Sequence, residues 1–233
     1  MNVKVTISDI LLGEGYSARV YKGYMENRTV AVKTFKNSRQ SREQFHQEVS
    51  VLRQLSHPCI PKILGYGGEP HPRLILDYCH GVTLARALKT QSVSKASVPC
   101  IVKNLLQVID YLHSLRILYR DMKPSNVMLT VSTDRHHPLQ VHVVDFGFAV
   151  VLPHRRQSLR DCHVVGTQGF MAPEISRENR YSRASDMFAL GKTFACLLEP
   201  SDPWWPLLVE ACTLESARKR PTASQCVEEL MLY

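Results

Sequence analysis

Tyr119-Arg120-Asp121-Met122-Lys123-Pro124-Ser125-Asn126 gathers a carboxylate, an ammonium and an amide into one short stretch. Two further stretches follow in order: Asp145-Phe146-Gly147, preceded by Val143-Val144, and Gly166-Thr167 with Met171-Ala172-Pro173-Glu174. Immediately upstream, Ser97 to Leu115 has a long helical pattern with Ile101, Leu105, Val108 and Leu112 on one face. Immediately downstream, Val127 to Leu129 and Val141 to Val144 read as a hairpin with a polar tip at Asp134 to Pro138. Ser185 to Leu198, Pro206 to Glu215 and Ala223 to Leu232 read as further helices. The chain before Gly81 has a different character. Val3, Val5 and Ile7 alternate as in a half-buried strand. Arg19 to Tyr24 and Thr29 to Phe35 are strand-like runs joined by a Glu26-Asn27 turn, and Ile60 to Tyr66 and Arg73 to Leu76 are two more. One helix interrupts them, Ser41 to Leu55, with Phe45, Val49 and Leu52 in helical register, Ser41 as N-cap and Gln44 three residues on. A β-rich part followed by an α-rich part predicts an α+β protein of two lobes, with a site in the cleft between them.

The β-rich part carries its own polar constellation. Gly13-Glu14-Gly15-Tyr16-Ser17-Ala18 lies between two strand-like runs, followed by Val30-Ala31-Val32-Lys33 and then by a helix bearing Glu48. A glycine loop lets backbone N–H groups approach phosphates closely. A lysine on a neighbouring strand can neutralise phosphate oxygens, and a helix glutamate can hold that lysine. A strand rather than a helix after the loop argues against a dinucleotide-binding unit. Lys33 alone reads as an exposed strand lysine and Glu48 alone as a solvated helix face; the set reads otherwise.

Composition narrows the class. The chain has 233 residues, 44% apolar and 21% charged, which excludes disordered, collagenous and coiled-coil chains. Lys and Arg number 29 against 21 Asp and Glu, a surplus of +8 that suits either an anionic partner or a merely soluble surface. The seven cysteines, Cys162 among them, are scattered without a C-x-x-C pair, so free thiols in a reducing compartment are expected rather than disulfides or structural zinc. No signal-peptide core is evident and no uncharged apolar run approaches the about 18 residues of a membrane span. The expectation is therefore a cytoplasmic protein, the nucleus being the alternative setting.

The ordered motifs resemble those of the eukaryotic protein kinases, from about Leu11 to Leu230. The resemblance implies one kinase domain over 1–233, with a small β-rich N-lobe of about 1–78 and a larger, mostly helical C-lobe of about 79–233, shortened after the Asp186 helix. Lys123 and Thr167 look like the serine/threonine pattern. Tyr119 and the long hairpin before Asp145 are similar to Roco-type members of the tyrosine-kinase-like group. The implied activity is ATP-dependent phosphoryl transfer to Ser/Thr hydroxyls of a protein, with Mg²⁺. Asp121 would accept the substrate's hydroxyl proton and Lys123 would meet the γ-phosphate. Asn126 and Asp145 would hold Mg²⁺. Lys33, paired with Glu48, would hold the α- and β-phosphates beneath Gly13 and Gly15. Leu12, Val20 and Ala31 would roof the adenine and Met128 would floor it. Leu76 would be the gatekeeper, and backbone groups of Asp77 and Cys79, in a hinge Asp77-Tyr78-Cys79, would bond the base. Leu52, Leu64, Phe146 and Tyr119 look like the apolar stack of the family. Asp186 would bond the catalytic-loop backbone and Arg220 would pair with Glu174.

Several positions depart from the pattern. Ala18 replaces the third glycine of the loop, tolerable if its φ is negative. Tyr119 stands where most members carry His, in a role that is apolar. Arg120 marks the type that often awaits a phosphate between Asp145 and Glu174, yet His163 stands where many relatives carry Thr, and the only hydroxyls there are Ser158 and Thr167. The expectation is activation without phosphorylation, with Asp161 as a weaker fixed anion, or use of Ser158. The gap from Asp186 to Arg220 is short, and Trp204-Trp205 within it reads as a compact plug over the core or an exposed anchor. Thr83 and Ser125 occupy positions where Arg-preferring relatives carry acids. With Arg86, Arg155, Arg156 and Arg160 nearby, the expected substrate is acidic or neutral around its target hydroxyl.

The alternative is a pseudokinase, a binding or scaffold module of the same fold. It is countered by the presence of Lys33, Glu48, Asp121, Asn126 and Asp145 together. A small-molecule kinase generally lacks the long segment ending in Ala172-Pro173-Glu174. No stacking-aromatic or groove-helix pattern supports nucleic-acid binding. A metal site at His136, His137 and His142 lacks Cys or carboxylate partners, which favours a solvated loop.

Overall fold

The computed structural model describes residues 5–26, 28–68, 71–130, 139–161 and 163–230. The polar hairpin tip with His136 and His137, Val3, Asn27 and Cys162 lie outside them. The chain divides into two compact units, Met1–His80 and Gly81–Tyr233.

The first unit is a five-stranded antiparallel sheet with one helix. Strands β1 (Val5–Glu14), β2 (Ala18–Met25), β3 (Arg28–Phe35), β4 (Ile63–Gly67) and β5 (Arg73–Asp77) lie in the order β1-β2-β3-β5-β4. Val30, Val32 and Leu74 are fully buried in it. Helix α1 (Arg39–Leu52) buries Phe45, Glu48, Val49 and Leu52, a stripe at i, i+3, i+4 and i+7. Its cap is Ser38, whose side chain accepts from the Ser41 N–H (3.1 Å), so the helix begins before the expected Ser41. Ser38 has the extended backbone an N-cap needs (φ −134°), whereas Ser41 is already within the first turn and buried.

The second unit opens with β6 (Val82–Thr83) and the short helix α2 (Leu84–Lys89), capped by Thr83. Gly81 is required at its start: φ is +111°, and an added Cβ would lie 2.0 Å from Leu129 O. Helix α3 (Val98–Ser114) runs to β7 (Ile117–Leu118). Strands β8 (Val127–Thr130) and β9 (Gln140–Val143) form the expected hairpin and β6 joins them in a three-stranded sheet, β6-β8-β9. Then come β10 (Val150–Val151), paired with β7, β11 (Ser158–Arg160), α4 (Pro173–Glu178), β12 (Arg180–Ser182), paired with β11, α5 (Arg183–Phe194) and α6 (Ala223–Leu230). The core is the apolar face of α3: Ile101, Leu105, Leu106, Val108, Ile109 and Leu112 are all fully buried.

Between α5 and α6 the expected helix from Pro206 to Glu215 is a single wide turn, Pro206–Glu210. Beyond it Arg220 caps the region: its guanidinium donates to both oxygens of Glu174 (2.7 and 2.8 Å) and to carbonyls of Ala184, Leu214 and Glu215. Trp204 and Trp205 are half-buried. Trp204 lines an apolar groove with Val98, Pro99, Val102 and Leu198, packing over α3 rather than standing clear. No helix among the described residues is long and apolar enough to cross a membrane.

Candidate active site

In the first unit, strand register places the residues that the resemblance assigns to phosphate. Lys33 on β3 is opposite Val20 on β2 and Leu74 on β5; Ala31 is opposite Leu76. A carboxylate on the buried stripe of α1 needs a counter-charge, and Lys33 supplies it. Lys33 Nζ donates to both oxygens of Glu48 (2.9 and 2.7 Å), with Lys33 6% and Glu48 1% exposed. Gly13 sits in β1 opposite Val20, and Gly15 donates its N–H to Ala18 O (2.9 Å). An added Cβ would meet nothing within 4 Å at Gly13 and only Ala18 O, at 3.8 Å, at Gly15. Ala18 is buried in β2 and has no positive φ, so its methyl group fits. Leu12 is exposed and Val20, Ala31 and Leu76 are half-buried.

Asp77, at the end of β5, is tied down by its side chain. Its carboxylate accepts from Arg28 and from the Lys62 N–H (3.1 Å), and its own N–H donates to Lys62 O (3.0 Å). The Asp77 backbone N–H is thus already committed within the sheet. Burial, helped by the Asp77 charge, pushes the neighbouring Cys79 thiol up to about 12.

In the second unit one carboxylate organises the loop around Asp121. Asp186, 1% exposed in the first turn of α5, accepts from the Tyr119 N–H (2.9 Å) and the Arg120 N–H (2.9 Å) and lies 3.0 Å from His113 Nε2. These contacts hold Arg120 at a left-handed φ of 68°. The next residue, Asp121, is turned into a compact polar cluster. Asn126 Nδ2 donates to Asp121 Oδ2 (2.9 Å), Thr167 Oγ1 donates to Asp121 Oδ1 (2.7 Å), and Lys123 Nζ lies 2.8 Å from Oδ2. Lys123 Nζ also donates to Thr167 Oγ1 (2.6 Å). Sequence reasoning used Thr167 as a marker of class and missed it as a member of this cluster. Met128, half-buried on β8, is opposite His142.

Asp145 is exposed with φ 62° and accepts from the Gly147 N–H (3.3 Å). The residue before it is fixed on both sides: Val144 N–H donates to Asn126 O (2.9 Å), and Tyr119 Oη donates to Val144 O (2.5 Å). The expected apolar role of Tyr119 is thus incomplete. Its ring does meet Phe146 edge-on (5.2 Å), but the hydroxyl is a second attachment that His would make differently. Leu52 is fully buried and Leu64 half-buried in the first unit. Removing only the hydroxyl, in Tyr119→Phe, should lower the unfolding free energy by about 0.5–1.5 kcal/mol, read by thermal unfolding. An unchanged midpoint would reduce Tyr119 to its ring.

Comparison with known proteins identifies the family. The protein kinase domain family matches residues 8–218. The serine/threonine-protein kinase TIO of Arabidopsis thaliana is 32% identical over 78% of this chain, and serine/threonine-protein kinase 1 of the same plant is 28% identical over 93%. The serine/threonine-protein kinase pakF of Dictyostelium discoideum is 29% identical over 80%. The chain spans 14%, 29% and 16% of the lengths of these three relatives. With the family matched over most of its length, and with a β-sheet unit followed by a helical one, the chain belongs to the protein kinase family.

Proposed function

We propose that this chain transfers the γ-phosphate of ATP to Ser or Thr hydroxyls of a protein. The observation that carries the reading is the Asp121–Lys123–Thr167–Asn126 cluster, in which a carboxylate is aimed by two hydrogen-bond donors, Asn126 and Thr167, beside an ammonium. Asp121 takes the proton as the substrate oxygen bonds to the γ-phosphorus and the bond to the ADP oxygen breaks, the electron pair leaving with ADP. Lys123 neutralises charge on the group in transfer. Lys33, aligned by Glu48, binds the α- and β-phosphates, and Gly13 and Gly15 leave room for them. Leu12, Val20, Ala31 and Leu76 of the first unit contact the adenine, with backbone groups of Asp77 and Cys79 bonding it.

The residues fit a divalent cation. Asn126 commits its amide N–H₂ to Asp121 O and Oδ2, which leaves its oxygen as an acceptor, and Asp145 adds a carboxylate. Among the described residues no group of three or more His, Cys, Asp or Glu could hold a metal. This suits Mg²⁺, which takes one or two protein oxygens and completes its shell from phosphates and water. Bound there, the ion would neutralise phosphate charge.

Lys123 and Thr167 support Ser/Thr specificity. Exposed Arg86, Arg155, Arg156 and Arg160 support an acidic or neutral substrate, while Thr83 is occupied in capping α2. The six described cysteines are free thiols, which supports a cytoplasmic or nuclear setting.

The test is incubation of purified chain with Mg·ATP and, in parallel, an acidic and a basic protein acceptor, beside Asp145→Asn. Transfer to Ser or Thr by the wild type, lost in the variant, is expected. Absence of transfer while nucleotide still raises Tm would leave a nucleotide-binding module. Phosphotyrosine as the product would overturn the specificity.

A further inference from the structure

We infer that Asp161 is a positioning residue that acts through Arg120 to hold the segment from Asp145 to Glu174 in working geometry, so that no added phosphate is needed. The inference rests on the kinase reading above. Arg120 has a side chain only 5% exposed, and a buried guanidinium without a counter-charge is costly. Its Nη1 donates to Asp161 Oδ2 (2.8 Å), its Nε donates to Phe148 O (2.6 Å), and its guanidinium carbon lies 5.1 Å from the centre of the Tyr181 ring. Arg120 therefore joins three places: Asp121 beside it in sequence, the stretch just after Asp145-Phe146-Gly147, and Asp161. Asp161 is itself held. It accepts from the His163 N–H (3.1 Å), and its own N–H donates to Asn179 O (3.1 Å). Burial pushes its carboxyl up, but the hydrogen bonds from Arg120 and His163 and the neighbouring positive charges outweigh this and keep it below the usual range. It is charged at neutral pH.

Strand register separates Asp161 from the rival, Ser158. In the β11–β12 ribbon Ser158 is opposite Ser182, Leu159 opposite Tyr181 and Arg160 opposite Arg180. Side chains alternate between faces. Leu159 and the fully buried Tyr181 face the cluster of Leu118, Leu152, Ala172 and Ile175. Ser158, Arg160, Arg180 and Ser182 take the other face. Arg120 is on the Tyr181 side, so a phosphate on Ser158 would project away from it. Asp161 continues the alternation onto the Tyr181 side, where it meets Arg120.

The test uses the purified chain, phosphatase-treated and shown phosphate-free by mass. Its kcat for a peptide is expected to be unchanged by the treatment and unchanged in Ser158→Ala. Asp161→Asn is expected to lose about tenfold or more in kcat, with a raised KM for peptide and the KM for ATP within about twofold. A merely misfolded fraction would lower kcat without moving the peptide KM. Asp161→Glu, which keeps the charge, is expected to restore most of the rate and serves should Asp161→Asn fold poorly. Full activity in Asp161→Asn overturns the inference, as does Asp161→Glu being no better than Asn. So does a phosphate-free wild type that is silent until Ser158 is phosphorylated. A wild type that transfers nothing in either state overturns the kinase reading itself.

Discussion

Asp121→Asn should lower kcat by about 10²–10⁴-fold, the range for loss of a positioned general base. The side chains are nearly the same shape, so the loop keeps its attachment to Asp186 through the Tyr119 and Arg120 N–H groups. What changes is donor count. Asp121 accepts from Asn126 and Thr167 and pairs with Lys123. An amide at 121 brings two donors into a ring of donors and cannot take the substrate's proton. Lys33 and Glu48, in the other unit, are untouched, so nucleotide should still raise Tm. The measurement is peptide turnover at saturating ATP beside a nucleotide-induced Tm shift. A kcat within tenfold of wild type would remove Asp121 from the chemistry.

Lys33→Met should cost both activity and stability, and a second substitution separates the two. Losing the ammonium removes the proposed phosphate contact and the two hydrogen bonds that the Glu48 carboxylate, 1% exposed, takes from Lys33. Breaking a buried pair from one side costs about 3–5 kcal/mol, so thermal unfolding should fall markedly. Lys33→Met/Glu48→Leu removes both charges and fills the site with apolar volume beside Phe45, Val49 and Leu52. Its Tm should return to or above the wild-type value while peptide phosphorylation stays lost. Recovery of activity along with stability would show that Lys33 only neutralises Glu48.

Much of this site is legible in the order of its motifs. Lys33 with Glu48 in the first unit, and Asp121 with Asn126 in the second, are readable because chance seldom sets those residue types in that order at that spacing. What stays hidden depends on backbone partners, which a sequence does not spell out. The Tyr119 hydroxyl ends on Val144 O, and Asp186, expected on the catalytic-loop backbone and found there, also meets the His113 ring. The start of α1 is ambiguous in the sequence because Ser38 and Ser41 are equally good caps by type, and only Ser38 has the extended backbone. The strands β6, β7, β10, β11 and β12 have two or three residues each, too few for alternation to register. The stretch after Pro206 is apolar enough for a helix, yet it makes one wide turn.

Asp186 also bears on the order in which the molecule assembles. Its partners Tyr119, Arg120 and His113 lie 67, 66 and 73 positions away along the chain. Contacts of such separation require a large loop to close before they contribute, so they form late and slow the search. The strained loop that aims Asp121 therefore becomes ordered only after α3 and α5 have found each other. On mild destabilisation it is among the first parts released, and amide hydrogens at Tyr119 and Arg120 should exchange faster than those in the middle of α3.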